Sequence, residues 1–204
     1  KDWLICLHGK LLVTSILFIC LYTQNLSSAT TETLKQSEKS GTALPNTGLN
    51  NFLISAQPQG LSEILSGHFW RLFTPIFVHY TPIHILFNML VLWMFGKDLE
   101  MDWGKNEFLI FYFVCGIGAG LMTVLVSINS FVPVVGASGA IYGILVAYGF
   151  TYPNRILLLY GLFPVKAKYV VLGFGFVAFI ASFSANQSNI SHITHLSGMI
   201  IGFI

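Results

Sequence analysis

Charge is what this chain has least of. Only 9% of its 204 residues are Asp, Glu, Lys or Arg, while 54% are hydrophobic; an ordinary soluble domain carries about 25% charged residues. Residues 108–154 contain no charged residue, and neither do residues 169–204. A membrane-crossing helix needs roughly 20 mostly apolar residues, so each run is long enough for about two crossings. That excludes a water-soluble domain and places the chain in the membrane class. The net charge of +2 comes with no basic patch, which argues against a nucleic-acid partner. Cys6, Cys20 and Cys115 are scattered without a CxxC pair, which excludes a disulfide framework and leaves them as packing residues. The acids are missing from a particular place. All of them lie in the N-terminal part, in loops or between residues 98 and 107. A Ser-His-Asp triad at membrane depth is therefore not available.

What is present reads as a series of hydrophobic segments. The first, residues 1–22, combines Lys10 with LLVTSILFICLY. A basic start, a short apolar run and a following SSA also fit a secretory signal peptide. The upstream Trp3 to Leu7 stretch extends the run toward spanning length and favours a retained helix. Residues 23–66 form a Ser/Thr-rich aqueous loop, expected on the outer side, and 67–204 the core. Within the core, GHFWRLFTPIFVHYTP carries Pro75 and Pro82, which argue against one straight span and for a short amphipathic or re-entrant segment. A second helix is expected over about 83–95, followed by the charged connector KDLEMDWGKNE. The third covers about 108–128, the fourth starts near Ser138 and ends before Pro153, and the fifth covers about 169–183. The sixth is expected from near Ile193 and is cut at Ile204. The chain does not begin with Met, so a fragment is expected. Lys97, Lys105, Arg155, Lys166 and Lys168 all fall in connectors two–three and four–five. The positive-inside rule puts those on the cytoplasmic side. The second, fourth and sixth helices then all enter from the outer side.

Polar groups at membrane depth are costly and mark candidate sites. The outer starts of the even helices carry His84 and Asn88, then Ser138, then His195. His84 and Asn88 are four apart and share a helix face. For Ser138 in GASGAIYG, the packing reading is strong, because Gly139 and Gly143 form a small-xxx-small face. The chemical reading adds that a residue opening a helix has a backbone N–H without an intrahelical acceptor, at the positive end of the dipole. The hydrolase elbow GxSxG does not match, since Ala140 stands where the second glycine belongs. A lone histidine in an apolar helix is usually structural. His195, however, precedes Gly198 and Gly202, which give its helix a close-packing face of its own. Two glycine-faced helices can bring His195 to Ser138, and a serine hydroxyl needs such a base. His84 and Asn88 are then candidate oxyanion donors beside the Ser138 N–H.

These residues resemble the rhomboid family, most closely its GlpG-type bacterial members, over about residues 68–202. The resemblance rests on FWRLFTPIFVH, on HILFN with His84 and Asn88, on Glu100-x-x-x-Gly104, on GASG from Gly136 to Gly139, and on His195-x-x-Gly198-x-x-x-Gly202. It implies an all-α, polytopic bundle of six transmembrane helices. It further implies a serine endopeptidase that cuts single-pass transmembrane substrates near the membrane surface, from a water-filled cavity open to the outer side. Tyr142 would pack on the catalytic histidine, Trp70 and Arg71 would organise the first outer loop, and Gly136 and Gly139 would support the serine. No cofactor or metal is implied, and the surrounding partner is membrane lipid, in a bacterial inner membrane. The Ser/Thr-rich loop is not a family motif.

Three rivals fit less well. An inactive client-binding relative normally lacks the serine or the histidine. A bis-histidine haem or metal protein using His84, His192 or His195 lacks a completing carboxylate or cysteine cluster in the membrane runs. A transporter needs ionisable pathway residues, and apart from the histidines these are missing.

Overall fold

The computed structural model describes residue 20 and residues 64–79, 81–126, 136–159, 162–183 and 189–204. The expected first span (1–22) and loop (23–66) lie outside the described residues, except for Cys20, helical and fully buried in the core, and for residues 64–66.

Two successive 3-10 turns, Phe69–Leu72 and Thr74–Phe77, carry the FWRLFTPIF stretch, with Pro75 in the first turn of the second. Helix α1 follows, Pro82–Val91. Its start is set by Pro82, which has no N–H to leave unpaired, and by Thr81, whose hydroxyl accepts from the His84 N–H at 3.1 Å. A π-turn, Leu92–Gly96, leads directly into α2, Lys97–Trp103. The charged stretch expected as a connector is thus mostly helix. Leu99 is fully buried and Phe95 nearly so, so apolar packing carries the helix through the charges. It breaks at Gly104, whose φ of +91° suits glycine alone. Helix α3 is Lys105–Val126, α4 is Ser138–Thr151, α5 is Ala167–Ser182 and α6 is Asn189–Phe203. The last begins a turn earlier than the sequence suggested. A helix's first turn has its N–H groups free for solvent or side chains, so a polar turn there costs little.

Between α4 and α5 lies a β-hairpin that the all-helical expectation did not include. Strands β1, Ile156–Leu159, and β2, Phe163–Lys166, pair antiparallel with Ile156 opposite Lys166. In the sequence these read as the connector that carries Arg155, Lys166 and Lys168, and β2 contains Pro164. A two-stranded ribbon has only edges, where proline is tolerated.

Helix α4 is the centre of the bundle. It is buried from Gly139 to Gly149 except at Tyr142, and it packs on α3, α6 and α5. Glycine is what lets three helices converge on it. A Cβ at Gly139 would lie 2.8 Å from Ala119 Cβ of α3, and one at Gly143 2.5 Å from Cys115 Sγ. On the other side Gly198 faces the Gly139 backbone, and a Cβ at Gly202 would lie 2.6 Å from Gly143 Cα. Across α3 and α6, the Thr123 and Thr194 hydroxyls meet at 2.8 Å. At the far end, Asp98 of α2 receives the Tyr148 hydroxyl at 3.3 Å and pairs with Arg155 at 2.9 Å, while the Tyr152 hydroxyl donates to Asp102.

Outside, the bundle is apolar. Phe87, Trp93, Ile110, Val114, Leu172, Phe176 and Val177 are all exposed, a lipid-facing surface rather than a wettable one. Among the described residues, α3 alone is long and apolar enough to cross a membrane by length and composition. At 1.5 Å per residue its 22 residues span about 33 Å, whereas the 14 of α4 span about 21 Å. Both reach the Asp98 end of the bundle, so α4 starts short of the α3 terminus. Gly139 is level with Ala119, seven residues before Val126, which sets Ser138 about 10 Å below that terminus.

Gly198→Val tests the central contact. Overpacking of this kind costs about 1–3 kcal/mol, and here the obstacle is backbone. The expected outcome is a lower thermal midpoint in detergent together with loss of any reaction at Ser138. An unchanged midpoint would show that α6 can move away from α4 freely.

Candidate active site

Ser138 is the first residue of α4, and its Oγ lies 2.9 Å from Nε2 of His195 on α6. The contact joins residues 57 apart in sequence and follows from the glycine faces one turn deeper. The imidazole is held flat by Tyr142, one turn beyond Ser138, whose ring stacks on it at 4.3 Å and 6°. His192 stands edge-on to His195 at 5.9 Å. Its ring is on the same helix, but the hydrogen bond to the serine is made by His195. Nδ1 of His195 is buried and, among the described residues, has no hydrogen-bond partner, so no third side chain orients the ring through a hydrogen bond.

The approach to Ser138 is built from backbone. Gly136 has φ +111°, which turns the chain sharply into the helix. Its N–H donates to the Pro75 carbonyl at 2.8 Å, tying this turn to the 3-10 segment that also contains Trp70 and Arg71. Arg71 is buried there, and Trp70 is partly exposed with its ring edge-on to His68 at 4.9 Å. The next N–H, of Ala137, donates to Nε2 of His79 at 3.5 Å, while Nδ1 of His79 is 3.3 Å from the Phe77 carbonyl. One neutral tautomer, protonated at Nδ1, satisfies both contacts. His79 carries no expected role in the sequence. Its position two residues before the Thr81 cap was the available signal, but nothing in the spacing points toward residue 137.

His84 and Asn88 lie on one face of α1 and close over Gly136. A Cβ on Gly136 would fall 2.8 Å from His84 Cε1, 2.9 Å from its Nε2, and 3.5 Å from Asn88 Nδ2. The Asn88 amide is buried and, among the described residues, its Nδ2 has no acceptor. An unsatisfied buried donor costs about 1–3 kcal/mol, and this one faces the Gly136 turn that leads into Ser138. The N–H groups of Ser138 and Gly139 open α4 and have no intrahelical acceptor, at the positive end of the helix. A hydroxyl, an imidazole and a set of N–H donors thus converge on one small volume.

The comparisons with known proteins agree on a family. The rhomboid domain model matches residues 66–204, more than half of the chain, and the chain belongs to the rhomboid family. It is accordingly a mostly helical, integral membrane protein. It is 39% identical over 122 residues to Rhomboid protease GluP of Bacillus subtilis (strain 168), covering 56% of this chain and 23% of that protein. It is 39% identical over 87 residues to Putative rhomboid protease YdcA of the same organism, covering 43% of each. With Rhomboid protein 1, mitochondrial, of Saccharomyces cerevisiae (strain ATCC 204508 / S288c) it shares 33% over 116 residues, 55% of this chain and 32% of that one. The matched part spans less than half the length of these relatives.

Gly136→Ala probes the backbone turn. The substitution puts a Cβ into the left-handed region and against His84, at a cost of about 1–3 kcal/mol. The expected outcome is a fall of at least about tenfold in the rate at which a fluorophosphonate labels Ser138, with helical circular dichroism retained. Wild-type labelling would mean that the turn does not shape the site.

Proposed function

We propose that this chain carries the catalytic core of an intramembrane serine protease. The observation that carries the reading is the 2.9 Å contact between Ser138 Oγ and His195 Nε2. It lies within the 2.6–3.2 Å range that proton transfer between a nucleophile and its base requires. Relatives named as rhomboid proteases support the class.

In the proposed reaction His195 takes the Ser138 proton as Oγ attacks the scissile carbonyl. The oxyanion then forms among the Ser138 N–H, His84 and Asn88. His195 next protonates the departing amine, and water, activated by the same imidazole, hydrolyses the acyl-serine. No acid takes part, so the pair acts as a dyad. Tyr142 positions the ring by stacking. The substrates are single-pass transmembrane proteins, cut near the membrane surface. Such a segment must unwind to present a carbonyl to Ser138, because a helical backbone has its carbonyls hydrogen-bonded.

In the same proposal residues 1–22 form the first of six spans, 23–66 an outer loop and 67–204 the core. The lysines and Arg155 between the second and third spans, and between the fourth and fifth, face the cytoplasm. The site then opens outward, in a bacterial cell membrane.

Four measurements test this. Ser138→Ala should abolish cleavage of a reporter transmembrane substrate, and unchanged proteolysis would overturn the mechanism. His195→Ala should lower turnover at least about 1,000-fold and His192→Ala much less; the reverse order would reassign the base. His84→Ala and Asn88→Ala should each lower turnover on the order of 100-fold to 1,000-fold while Ser138 still reacts with fluorophosphonate. For orientation, a cysteine placed at Asn129 should label from outside intact cells and one at Asn154 only after permeabilisation.

A further inference from the structure

Away from Ser138, at the Asp98 end of the bundle, α4 and α5 enclose a groove of about 300 Å³ lined by Val146, Gly149, Phe150, Pro153, Val171 and Leu172, with Lys168 at its edge. Phe150 and Leu172 are 67% and 66% exposed, so the groove opens to the lipid side of the bundle. Its floor exists because Gly149 lets Val171 approach; a Cβ there would lie 2.8 Å from Val171 Cγ2. Lys168 is half-buried, and among the described residues no carboxylate forms an ion pair with it. Its ammonium lies 5.2 Å from the Tyr169 ring, a weak substitute for an anion. A lysine can lay its methylenes along apolar surface, but the charged head still needs water or a counter-charge.

The hairpin adds to this edge. Ala167 N–H donates to the Arg155 carbonyl at 2.8 Å and Lys168 N–H to that of Pro153 at 3.2 Å. These bonds fold the base of the hairpin onto the start of α5 and gather Arg155, Lys166 and Lys168. Directly opposed residues share a face of an antiparallel pair, so Ile156, Lys166, Leu158 and Pro164 lie together on one side. Ile156 and Leu158 are exposed there, while Leu157 on the other side packs against the core. Two strands leave unpaired backbone groups on both edges, which hydrocarbon does not tolerate. An apolar face with a lysine and wet edges fits the headgroup layer. The nearby acids are taken, Asp98 by Arg155 and Asp102 by Tyr152.

We propose that this groove is a binding site for one anionic phospholipid, with an acyl chain between α4 and α5 and the phosphate on Lys168, flanked by Lys166. Basic pockets between transmembrane helices on the cytoplasmic side are a recognised physical solution for acidic headgroups. The proposal rests on α4 and α5 being embedded in the bilayer, and needs neither the proposed chemistry at Ser138 nor a particular orientation.

Native mass spectrometry of the detergent-purified chain, titrated with palmitoyl-oleoyl phosphatidylglycerol or the matching phosphatidylcholine, tests it. One phosphatidylglycerol should be retained at a concentration at least about fivefold lower than phosphatidylcholine. Lys168→Gln should remove that preference, whereas Lys105→Gln, which neutralises an exposed lysine outside the groove, should leave it intact. Leu172→Trp, which fills the groove, should weaken both lipids, with circular dichroism confirming that each variant is folded. Equal binding of the two lipids by the wild type, equal losses in the two lysine variants, or displacement of the lipid by millimolar inorganic phosphate would each overturn the site. Fluorophosphonate labelling of the same samples separates the two readings. An unlabelled Ser138 with an intact lipid preference removes the protease and keeps the site, and the opposite pattern does the reverse.

Discussion

Everything in this structure that concerns chemistry depends on the contact between α4 and α6. Two pairs of glycines, Gly139 with Gly198 and Gly143 with Gly202, meet with backbone against backbone. In a bilayer the surrounding lipid is as apolar as any side chain, so there is little hydrophobic gain from helix association. Close packing and interhelical hydrogen bonds must supply it. The glycines provide the first, and the Thr123–Thr194 bond on the neighbouring α3 face provides the second. Ser138 and His195 each stand one residue or one turn beyond the glycine pair. Their 2.9 Å separation is a consequence of the approach rather than an independent device.

The second constraint is depth. A polar cluster cannot sit among acyl chains unless the protein shields it. The 14-residue length of α4 places its start below the end of the 22-residue α3. The 3-10 segment and α1 then wrap the opening. Pro75 and His79 receive the N–H groups of Gly136 and Ala137, so the turn before the helix is held without consuming the N–H groups of Ser138 and Gly139. A longer α4 would bring Ser138 to the surface, where water already solvates any charge that develops. In the proposed mechanism, donors at this depth would act in a less polar medium, where they are worth more.

The long helices and the meeting of Ser138 with His195 were legible for one reason. Both are written in strong local signals, runs without charge and glycines four apart. What escaped the sequence is held by weaker or longer-range signals. The helical continuation through KDLEMDW is a case where burial of Phe95 and Leu99 outweighs a charged composition. The early start of α6 hides in polar residues that suit a helix start as well as a loop. The hairpin at 156–166 is short and contains a proline, and pairing across a connector leaves no periodicity to read. His79 was visible as a residue, but its partner Ala137 is 58 positions away, and no local pattern encodes that contact.

In soluble triads a carboxylate fixes the imidazole tautomer and stabilises the imidazolium. Here, among the described residues, Nδ1 of His195 has no acceptor, and an ionised carboxylate at this depth would carry a desolvation cost of several kcal/mol. The orienting task falls instead to Tyr142, which stacks almost parallel on the ring. Stacking fixes the plane of an imidazole without adding charge to the apolar interior. It does not stabilise the protonated ring as a carboxylate would. The proposed dyad would therefore concentrate its stabilisation on the other side of the reaction, at the oxyanion, for which the helix start and the His84 and Asn88 side chains over Gly136 are the candidates. Oxyanion donors contribute more when they are fixed in advance, and in the proposed mechanism the Gly136 turn, pinned at two consecutive N–H groups, would fix those at the start of α4.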